Sequence, residues 1–525
     1  MADAVFGRHE PEIPYQPIAD LLAQYRRRDP DKLAIVDLDQ RKSISYGALE
    51  AAVTDIAAAL KKRGVGKGTR VLLLSDECLE KLLIWFAVWR LGAVVAPINI
   101  ELNGKLIADL AVAVAPALTL VHKEIDGNAL LAGKPFVHFG AYSANASDTD
   151  PQDDLFRTMA RGVSSDSLPE RNAAADLAGI VCTSGTTARP KIVVYDHCAY
   201  WLNGLSTLEC LGLSEDDRTL EYRSFGWNSA QVASLMPFLE KGLTMHIARR
   251  FSHSHFFEWI QQYGINFAVG VPTVLNMLLN KPLGYTAKDV PTLRLMSCST
   301  APLTAEQWGK FEEMYGVKLL QMYGMSEAGW MCGNRIYKSR MGTVGLPALH
   351  QEIVIVDPQG NPCPPNVEGE VTAGGPHCAV GYLLDDGTIE PIRGKRIKSG
   401  DLAIMDDDGF IRVTGRTKDL IIRGGVNIAP LEIDQVLLKH PDVLDAAAIG
   451  VPDKIYGEEV VCYVVPKPGH SLTEGSITRH CEASLPALKV PKHVVIVPDL
   501  PKSDRGKVLR EKLKSDWAER MTLSA

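Results

Sequence analysis

Residues 183–191 read Thr183-Ser184-Gly185-Thr186-Thr187-Ala188-Arg189-Pro190-Lys191, and they follow the apolar segment from Leu177 to Cys182. Clustered hydroxyls, an early glycine and a lysine can surround a polyphosphate with backbone N–H groups, hydroxyl donors and one positive charge. The spacing differs from that of the G-x-x-x-x-G-K-[ST] phosphate loop. A Ser/Thr-rich turn is the structural alternative. On its own, the stretch indicates either a polyphosphate site or a plain turn after a buried strand.

The surrounding sequence alternates between helical and strand-like patterns. Apolar residues recur at helical spacing from Leu49 to Leu60, and a strand-like run follows at 70–74. Further short apolar runs, each followed by polar residues, glycine or proline, lie at 244–248, 267–271 and 293–297. This alternation predicts an α/β fold of mostly parallel sheets covered by helices, a class that binds ligands at the carboxyl ends of its strands.

Two changes of pattern divide the rest of the chain. From about Gly342 the strands become shorter and turn signals appear at 357–362 and 406–409, which predicts a β-rich subdomain. A boundary near 415–419 precedes a segment with its own helix at 430–439, strand patterns and a basic tail. We therefore expect a large N-terminal domain with a β-rich subdomain, followed by a small α+β C-terminal domain. The expected domains span residues 1–416 and 417–525.

Length and charge restrict the partners. A chain of 525 residues with 46% hydrophobic and 23% charged residues exceeds the size of a single core, so more than one domain is expected. Lys and Arg number 56 against 63 Asp and Glu, which gives a net charge of -7, and no long basic run is present. Neither nucleic acid nor an anionic membrane surface is indicated, and small molecules are the expected partners.

The cysteines and apolar segments bear on location. The ten cysteines are scattered without a C-x-x-C pair, which favours reduced thiols in a cytoplasmic protein over disulfides or a zinc site. The start of the chain carries acidic residues and prolines, so no export signal is expected. The most apolar segments, 82–89 and 110–121, are shorter than the roughly 20 residues that cross a bilayer. We expect them to be buried core segments and predict no membrane span.

Residues 183–191 resemble the signature T-S-G-T-T-G-x-P-K-G of the adenylate-forming enzymes, the superfamily of acyl-CoA synthetases, peptide-synthetase adenylation domains and luciferases. Further blocks of the same superfamily follow in order along the chain. Ala188 replaces the second glycine and Ile192 the last one, so the loop is expected to be stiffer or differently shaped there. The resemblance implies that the ATP phosphates are bound by Thr183, Ser184, Gly185, Thr186, Thr187 and Lys191.

The segment Gln321-Met322-Tyr323-Gly324-Met325-Ser326-Glu327 resembles the Y-G-x-T-E block, with serine in place of threonine. The resemblance implies that Tyr323 lies beside the adenine, that Ser326 contacts the α-phosphate and that Glu327 binds Mg²⁺. A carboxylate suits this role because magnesium prefers hard oxygen ligands shared with phosphate. A tight turn before a helix is the structural alternative.

Two further blocks concern adenine and ribose. Ser299-Thr300-Ala301-Pro302-Leu303 resembles the G-A-A-P-L segment, whose backbone lines the adenine pocket, so Ser299, Thr300 and Ala301 are implied there. Lys398-Ser399-Gly400-Asp401 resembles the Y-x-T-G-D block, which implies that Asp401 accepts hydrogen bonds from the ribose hydroxyls. Gly-Asp alone is a common turn, so this assignment depends on its position before Arg416.

The segment from Gly415 to Ile433 resembles the hinge block of the superfamily. The resemblance implies that Arg416 binds ribose or phosphate, that Lys418 is the hinge, and that Gly424 and Gly425 let the backbone approach the pantetheine of coenzyme A. An ordinary turn would also explain these glycines.

The segment from Leu500 to Arg510 resembles the P-K-T-x-x-G-K block, which implies that Lys507 is the catalytic lysine. Its ammonium would bridge the attacking carboxylate and the α-phosphate, whose negative charges must be brought together. A solvated lysine on a basic tail is the structural alternative.

Together the blocks imply an ATP-dependent carboxylate–CoA ligase that uses Mg²⁺, ATP and coenzyme A. A carboxylate and ATP give an acyl-adenylate and pyrophosphate, and the thiol of coenzyme A then displaces AMP. Lys507 would serve the first step and the Gly425 segment the second, so a mobile C-terminal domain that rotates about Lys418 is implied. Catalysis is assigned to Lys507, Glu327 and Ser326.

The acid pocket lies outside the recurrent blocks. Its candidate wall residues are Trp227, Val271, Ser297, Met322 and Met325. An apolar wall with one large aromatic side chain favours a short, medium or aromatic acid, in fatty or aromatic acid metabolism, over a very long chain. Core packing would explain the Met and Trp residues equally well.

Three alternatives to a CoA ligase remain. The acyl group could pass to a carrier protein, the adenylate could react with oxygen as in luciferases, or the chain could be a non-catalytic nucleotide-binding homologue. Loss of chemistry should first remove Lys507, Glu327 or Asp401, and all three are present. The sequence leaves open which acid is used and the oligomeric state, for which a homodimer is one option.

Overall fold

The computed structural model describes residues 14–145, 154–182, 191–301, 303–503 and 506–524. Within these residues, helices α1–α14 and strands β1–β26 are numbered along the chain. The first part contains α1 (Ile18–Arg28), β1 (Leu33–Asp37), β2 (Lys42–Ser45), α2 (Tyr46–Lys62), β3 (Arg70–Leu74), α3 (Leu79–Arg90), β4 (Val94–Ile98), α4 (Gly104–Val114), β5 (Leu118–His122), α5 (Gly127–Leu131), β6 (Val137–Phe139) and β7 (Leu177–Cys182).

The middle part contains β8 (Ile192–Asp196), α6 (His197–Leu211), β9 (Arg218–Glu221), α7 (Asn228–Ala230), α8 (Met236–Lys241), β10 (Thr244–Ile247), α9 (Phe256–Tyr263), β11 (Phe267–Ala268), α10 (Pro272–Asn280), β12 (Leu295–Cys298), α11 (Ala305–Tyr315), β13 (Lys318–Met325), β14 (Gly329–Gly333) and β15 (Leu346–Pro347). The last part contains β16 (Glu352–Val356), β17 (Gly369–Gly374), β18 (Gly381–Leu383), β19 (Ile389–Pro391), β20 (Ile397–Met405), β21 (Ile411–Arg416), β22 (Ile421–Arg423), β23 (Val426–Ile428), α12 (Pro430–Leu437), β24 (Val443–Asp453), β25 (Gly457–Pro466), α13 (Glu474–Glu482), β26 (His493–Ile496) and α14 (Arg510–Ser524).

Two large sheets form the N-terminal part of the described chain. Sheet I has the strand order β15-β14-β13-β12-β11-β9-β10-β1-β2, and sheet II has the order β19-β18-β8-β7-β4-β3-β5-β6. The central strands of both sheets pair in parallel, and antiparallel pairs lie toward the ends. The predicted α/β fold with mostly parallel sheets is therefore confirmed.

Helix α3 is buried along its whole length. Its apolar residues belong to one core cluster with apolar residues of both large sheets and of α2, which explains why residues 82–89 are apolar on every side. The second apolar segment, 110–121, is interrupted as expected, because α4 ends at Val114 and β5 begins at Leu118. No helix in the described ranges is long and apolar enough to cross a membrane.

Two smaller sheets follow. Sheet III has the antiparallel order β16-β17-β20-β21 and corresponds to the predicted β-rich subdomain. Sheet IV has the order β23-β22-β25-β24, with β26 beside β25, and begins after β21 ends at Arg416. Two core clusters of sheet IV and helices α12 to α14 contain residues from 421 onward and no residue of the earlier sheets. The smaller C-terminal domain is thus present, and its predicted boundary at 416/417 stays a prediction.

The C-terminal part contacts the rest of the chain at close-packed glycines. A Cβ at Gly415, at the end of β21, would lie 2.9 Å from Cβ of Ala429, which precedes α12. A Cβ at Gly506 would overlap Oγ1 of Thr273 in the first turn of α10. The second contact brings the segment of Lys507 against the carboxyl edge of sheet I, where α10 begins.

Candidate active site

Four neighbouring strands of sheet I supply most of the predicted site residues. Strands β9, β11, β12 and β13 pair in parallel, so their carboxyl ends lie on the same edge of the sheet. The loops or strand ends at this edge carry Trp227, Val271, Ser299 to Ala301 and Tyr323 to Glu327. The edge is where parallel α/β sheets bind their ligands, because the side chains that leave adjacent strands converge there.

Tyr323, Asp401 and Arg416 form a hydrogen-bonded group, which we call the nucleotide corner. The hydroxyl of Tyr323 donates to Oδ2 of Asp401 at 2.6 Å, and Nε of Arg416 donates to Oδ1 at 2.9 Å. Asp401 and Arg416 are direct cross-strand partners in β20 and β21. Burial raises the pKa of the Tyr323 hydroxyl well above its ordinary value, and the negative charge of Asp401 raises it further. The phenol therefore stays protonated and donates.

Ser399 fixes the turn that presents Asp401. Its hydroxyl donates to the carbonyl of Val371 at 2.8 Å and accepts from the backbone N–H of Asp401 at 3.0 Å. Gly400 between them has φ 74°, a conformation that favours glycine. Ser399 was part of the recognised block but had no predicted role, and its position two residues before the aspartate is the signal that could have identified it.

The adenine segment begins where β12 ends. The N–H of Ser299 donates to the carbonyl of Gly270 at 3.3 Å, and Nε2 of Gln321 donates to the carbonyl of Ala301 at 3.4 Å. Thr300 has φ 79°, which is uncommon for a β-branched residue, and its buried Oγ1 has no hydrogen-bond partner among the described residues. Strained backbone of this kind is concentrated at functional sites.

Ser326 and Glu327 lie in the turn between β13 and β14. The hydroxyl of Tyr195 donates to the carbonyl of Ser326 at 2.8 Å, and the hydroxyl of Tyr382 donates to Oε1 of Glu327 at 3.2 Å. Nζ of Lys191 donates to the same Tyr382 hydroxyl at 3.4 Å and lies 4.5 Å from its ring centroid. Lys191, Tyr382 and Glu327 therefore form one row of polar groups.

Tyr195 on β8 and Tyr382 on β18 carry no recognisable sequence signal, because both lie outside the recognised blocks and only the fold brings them to Ser326 and Glu327. The predicted phosphate ligands Thr183, Ser184, Gly185, Thr186 and Thr187, and the substituted Ala188, lie outside the described residues. Of the six residues predicted to bind phosphate in this loop, Lys191 alone lies within the described ranges, and it is exposed.

The predicted acid-pocket residues differ in burial. Trp227, Val271 and Met325 are half-buried at the edge of sheet I. Ser297 and Met322 are each only 2% exposed. Met322 belongs to the main core cluster, and Gly270 packs against the carbonyl of Ser297. Of the five predicted wall residues, Trp227, Val271 and Met325 are therefore the more accessible ones.

The Lys507 loop comprises residues 502, 503 and 506–508. The N–H of Ser503 donates to the carbonyl of Lys507 at 2.8 Å, and the N–H of Lys507 donates to Oγ of Ser503 at 3.2 Å. Gly506 has φ 74° and contacts Thr273, two residues after Val271. The structure thus brings the predicted catalytic lysine to the same sheet edge as the predicted acid and adenine segments.

The predicted hinge residue Lys418 precedes β22, and the predicted CoA-binding residues Gly424 and Gly425 follow it. Lys418 is exposed in a single 3₁₀ turn at Thr417–Asp419. Gly424 and Gly425 form a two-residue hairpin turn between β22 and β23, and both have positive φ, 59° and 82°. The positive φ values disfavour residues with side chains at these two positions. Lack of space is not the reason at Gly425, where a Cβ would meet no atom within 4 Å.

Comparisons with known proteins agree with this geometry. The family model described as AMP-binding enzyme matches residues 22–383, and the model described as AMP-binding enzyme C-terminal domain matches residues 432–507. A sulfoacetate–CoA ligase from Cupriavidus necator is 32% identical over 97% of this chain and 99% of its own length. An oxalate–CoA ligase from Arabidopsis thaliana is 30% identical over 96% of this chain and 99% of its own length.

Solved structures give the same result. An O-succinylbenzoate coenzyme A synthetase from Bacillus subtilis, in complex with ATP and magnesium ion, superposes with a TM-score of 0.79 at 25% identity. The match covers 94% of this chain and 99% of the synthetase.

The chain belongs to the AMP-binding enzyme family, the adenylate-forming superfamily that the sequence blocks resemble. Within it, the chain is an AMP-forming acid–thiol ligase of the carboxylate–CoA ligase class, so the predicted function is confirmed at that level. ATP and coenzyme A are its co-substrates.

Proposed function

We propose that the ligase activates its acid at the carboxyl edge of sheet I, with the nucleotide corner, Glu327 and Lys507 in separate roles. The observation that carries this assignment is the contact between Gly506 and Thr273, which brings Lys507 to the sheet edge that carries the acid and adenine segments. Proximity of this kind is required of a group that acts on both the carboxylate and the α-phosphate.

The nucleotide corner binds the AMP portion. Both oxygens of Asp401 already accept one hydrogen bond each, and an ionised carboxylate has about four acceptor sites. Its remaining lone pairs can accept from the two ribose hydroxyls while Tyr323 and Arg416 hold its orientation. Ser299, Thr300 and Ala301 line the adenine.

The phosphate side holds the magnesium ion. The carboxylate of Glu327, oriented by Tyr382, fits a Mg²⁺ that takes one protein carboxylate together with phosphate oxygens and water. When bound, the ion neutralises charge on the phosphates. Ser326 contacts the α-phosphate, and Lys191 supplies a positive charge on the same side. Among the described residues, no cluster of three or more His, Cys, Asp or Glu side chains could hold a metal by itself.

Lys507 brings the carboxylate and the α-phosphate together in the first half-reaction. One carboxylate oxygen bonds to the α-phosphorus, the bond to the β-phosphate oxygen breaks, and pyrophosphate leaves. The C-terminal domain, residues 417–525, then rotates about Lys418. This rotation exchanges Lys507 for the Gly424–Gly425 hairpin beside which the thiol enters. The thiol attacks the acyl carbonyl and AMP leaves.

The remaining assignments concern the surroundings of the enzyme. The ten cysteines are free and eight of them are buried, which supports a reducing, cytoplasmic compartment. Formation of a homodimer stays a prediction. The relatives named for sulfoacetate and oxalate act on short acids, whereas a feruloyl-CoA synthase from Amycolatopsis, which is also 30% identical, is named for an aromatic acid. The predicted range of short, medium or aromatic acids therefore stays open at both ends.

The test is pyrophosphate release from ATP with magnesium and a panel of carboxylic acids, with and without coenzyme A. We expect one acid to release pyrophosphate and to form a CoA thioester only when coenzyme A is present. Acid-dependent pyrophosphate release without a thioester would point to a carrier protein or to oxygen as acceptor. Bound ATP with no release across the panel would contradict catalysis and favour the non-catalytic homologue.

A further inference from the structure

A buried ion pair lies between the adenine segment and α7, which begins directly after Trp227 of the predicted acid-pocket wall, and it has no role in the chemistry assigned above. Glu221 is the last residue of β9, and Arg223 follows two residues later. Nε and Nη2 of Arg223 donate to the two oxygens of Glu221 at 3.0 and 2.7 Å, and both side chains are at most 3% exposed. A buried pair has a large desolvation cost, so its retention suggests a purpose other than stability.

The third nitrogen of Arg223 reaches the adenine segment. Its Nη1 donates to Oγ of Ser299 at 3.3 Å, and its Nη2 also donates to the carbonyl of Ser229 at 3.4 Å. The guanidinium therefore links Ser299 to the loop that carries Trp227. Because Ser299 Oγ accepts from a cation, its own proton is available to donate and is polarised for donation.

The chain around this pair has further unusual features. Residues Gln231–Leu235 form a π-helical turn directly after α7, and such turns occur frequently at functional sites. Oδ1 of Asn228 and Oγ1 of Thr300 are buried without a hydrogen-bond partner among the described residues. The Asn228 amide orientation is fixed because its Nδ2 donates to the hydroxyl of Tyr195 at 3.1 Å. The Thr300 hydroxyl can donate to an acceptor on a ligand, whereas Oδ1 of Asn228 is an acceptor and needs a donor such as a water.

We propose that the acid pocket takes a short carboxylic acid that carries a second oxygen-rich acceptor group, such as a carboxylate, a sulfonate or a carbonyl. The hydroxyl of Ser299, held by Arg223, donates to that group, and the hydroxyl of Thr300 is a second donor. Arg223 is a positioning residue, because Glu221 neutralises its charge and it acts through Ser299. A purely apolar acid would leave these donors without partners, which is the strongest basis of rejection in enzyme pockets.

This inference depends on the proposed function and is tested by selectivity. Values of kcat/KM for adenylation are measured with oxalate, malonate and sulfoacetate, and with acetate, propionate, butyrate and benzoate. We expect the oxygen-rich acids to exceed the apolar acids of similar length by at least about tenfold, as a missing hydrogen bond predicts.

Two variants test the residues. Ser299→Ala and Arg223→Lys should each lower the ratio of kcat/KM for oxygen-rich over apolar acids by about tenfold or more, because lysine lacks the planar fork that reaches both Glu221 and Ser299. Ser206→Ala is the matched control, since this buried serine on α6 bonds the carbonyl of Leu202 away from the site, and it should leave the ratio unchanged. The KM for ATP is measured in parallel, because general damage to the site would raise it without changing the ratio.

The outcomes separate the two proposals. Pyrophosphate release that is equal or faster with the apolar acids would overturn the inference and leave the proposed function intact. An unchanged ratio in both variants would also overturn it. No pyrophosphate release with any acid, while ATP still binds, would overturn the proposed function and the inference together.

Discussion

Tyr323, Asp401 and Arg416 bind one another by hydrogen bonds across three strands, whereas the Lys507 loop touches α10 through a glycine that packs against an exposed threonine. The first group is held together by hydrogen bonds within the protein itself. The second reaches the same sheet edge from a domain with its own core clusters.

The difference matches two kinds of work. In the proposed mechanism AMP stays bound through both half-reactions, so its binding groups benefit from being rigid and interlocked. In the same mechanism Lys507 leaves before the thiol enters, so its contact should be small and reversible. The proposal therefore assigns nucleotide affinity and the timing of the chemistry to different parts of the molecule.

The largest effect is expected from Lys507→Ala. Removing the ammonium should lower adenylation about 10²–10³-fold, as for other groups that stabilise developing charge. Thioester formation from supplied acyl-adenylate should change little. The two half-reactions are measured separately, by pyrophosphate release and by CoA thioester formation.

Lys502→Ala is the matched control, because Lys502 lies in the same loop and pairs with Asp445 at 2.5 Å within the C-terminal domain. Equal loss of adenylation in both lysine variants would contradict a specific role for Lys507.

Asp401→Asn tests the interlocked group. The neutral amide cannot accept from both Tyr323 and Arg416 and bind the ribose as well, and loss of hydrogen bonds to a charged group costs about 1.5–3 kcal/mol. We expect the KM for ATP to rise roughly 10- to 100-fold and the use of supplied acyl-adenylate to weaken as well. Asp408→Asn is the control, since this exposed carboxylate pairs with Arg340 in the turn between β20 and β21. An effect confined to the first half-reaction would argue against nucleotide binding by Asp401.

Gly506→Ala tests the reversible contact. The added methyl would overlap Oγ1 of Thr273, and alanine at φ 74° is strained in addition, so adenylation should fall about tenfold. Gly469→Ala is the control for backbone strain alone, because Gly469 has φ 80° and a Cβ there meets nothing within 4 Å. Thr273→Ala combined with Gly506→Ala should restore part of the rate. Failure of that rescue would show that this contact does not position Lys507.

The smallest effect concerns the stability of the domain that carries Lys507. Asp434 is buried, accepts from the N–H of Ala448 at 2.6 Å and pairs with Arg510. Burial raises its pKa to about 6, while Arg510 acts in the opposite direction. The folded state then binds more protons than the unfolded state between about pH 4 and 6. Stability from this group therefore falls as pH rises through that window, by at most about 1.4 kcal/mol per pH unit.

Urea unfolding of the full chain and of Asp434→Asn between pH 4 and 7 measures this term as the difference between the two curves. A native chain that gains stability relative to Asp434→Asn as pH rises would reverse the sign and contradict the assignment.

The sequence predicted the fold class and the order of the blocks, because short motifs and strand–helix alternation are local properties. It did not predict the groups that orient them. Tyr195 and Tyr382 reach Ser326 and Glu327 from more than fifty residues away, and only the sheet topology brings them there.

The burial of individual side chains could not be predicted from the sequence either. Ser297 and Met322 are almost fully buried, and their place in the pocket wall stays a prediction. Alternate residues of a strand face opposite sides of the sheet. A run of apolar residues in the sequence therefore does not tell which side chains face a pocket. Boundaries shifted for similar reasons: the predicted run 267–271 forms a strand only at Phe267–Ala268, and the predicted helix 430–439 ends at Leu437.

The separate core clusters of the C-terminal part have a consequence for engineering. A unit that folds around its own interior can be exchanged between homologous chains without rebuilding that interior. If the predicted boundary holds, residues 417–525 can be transplanted as one cassette while libraries for new substrates are directed at the sheet I edge.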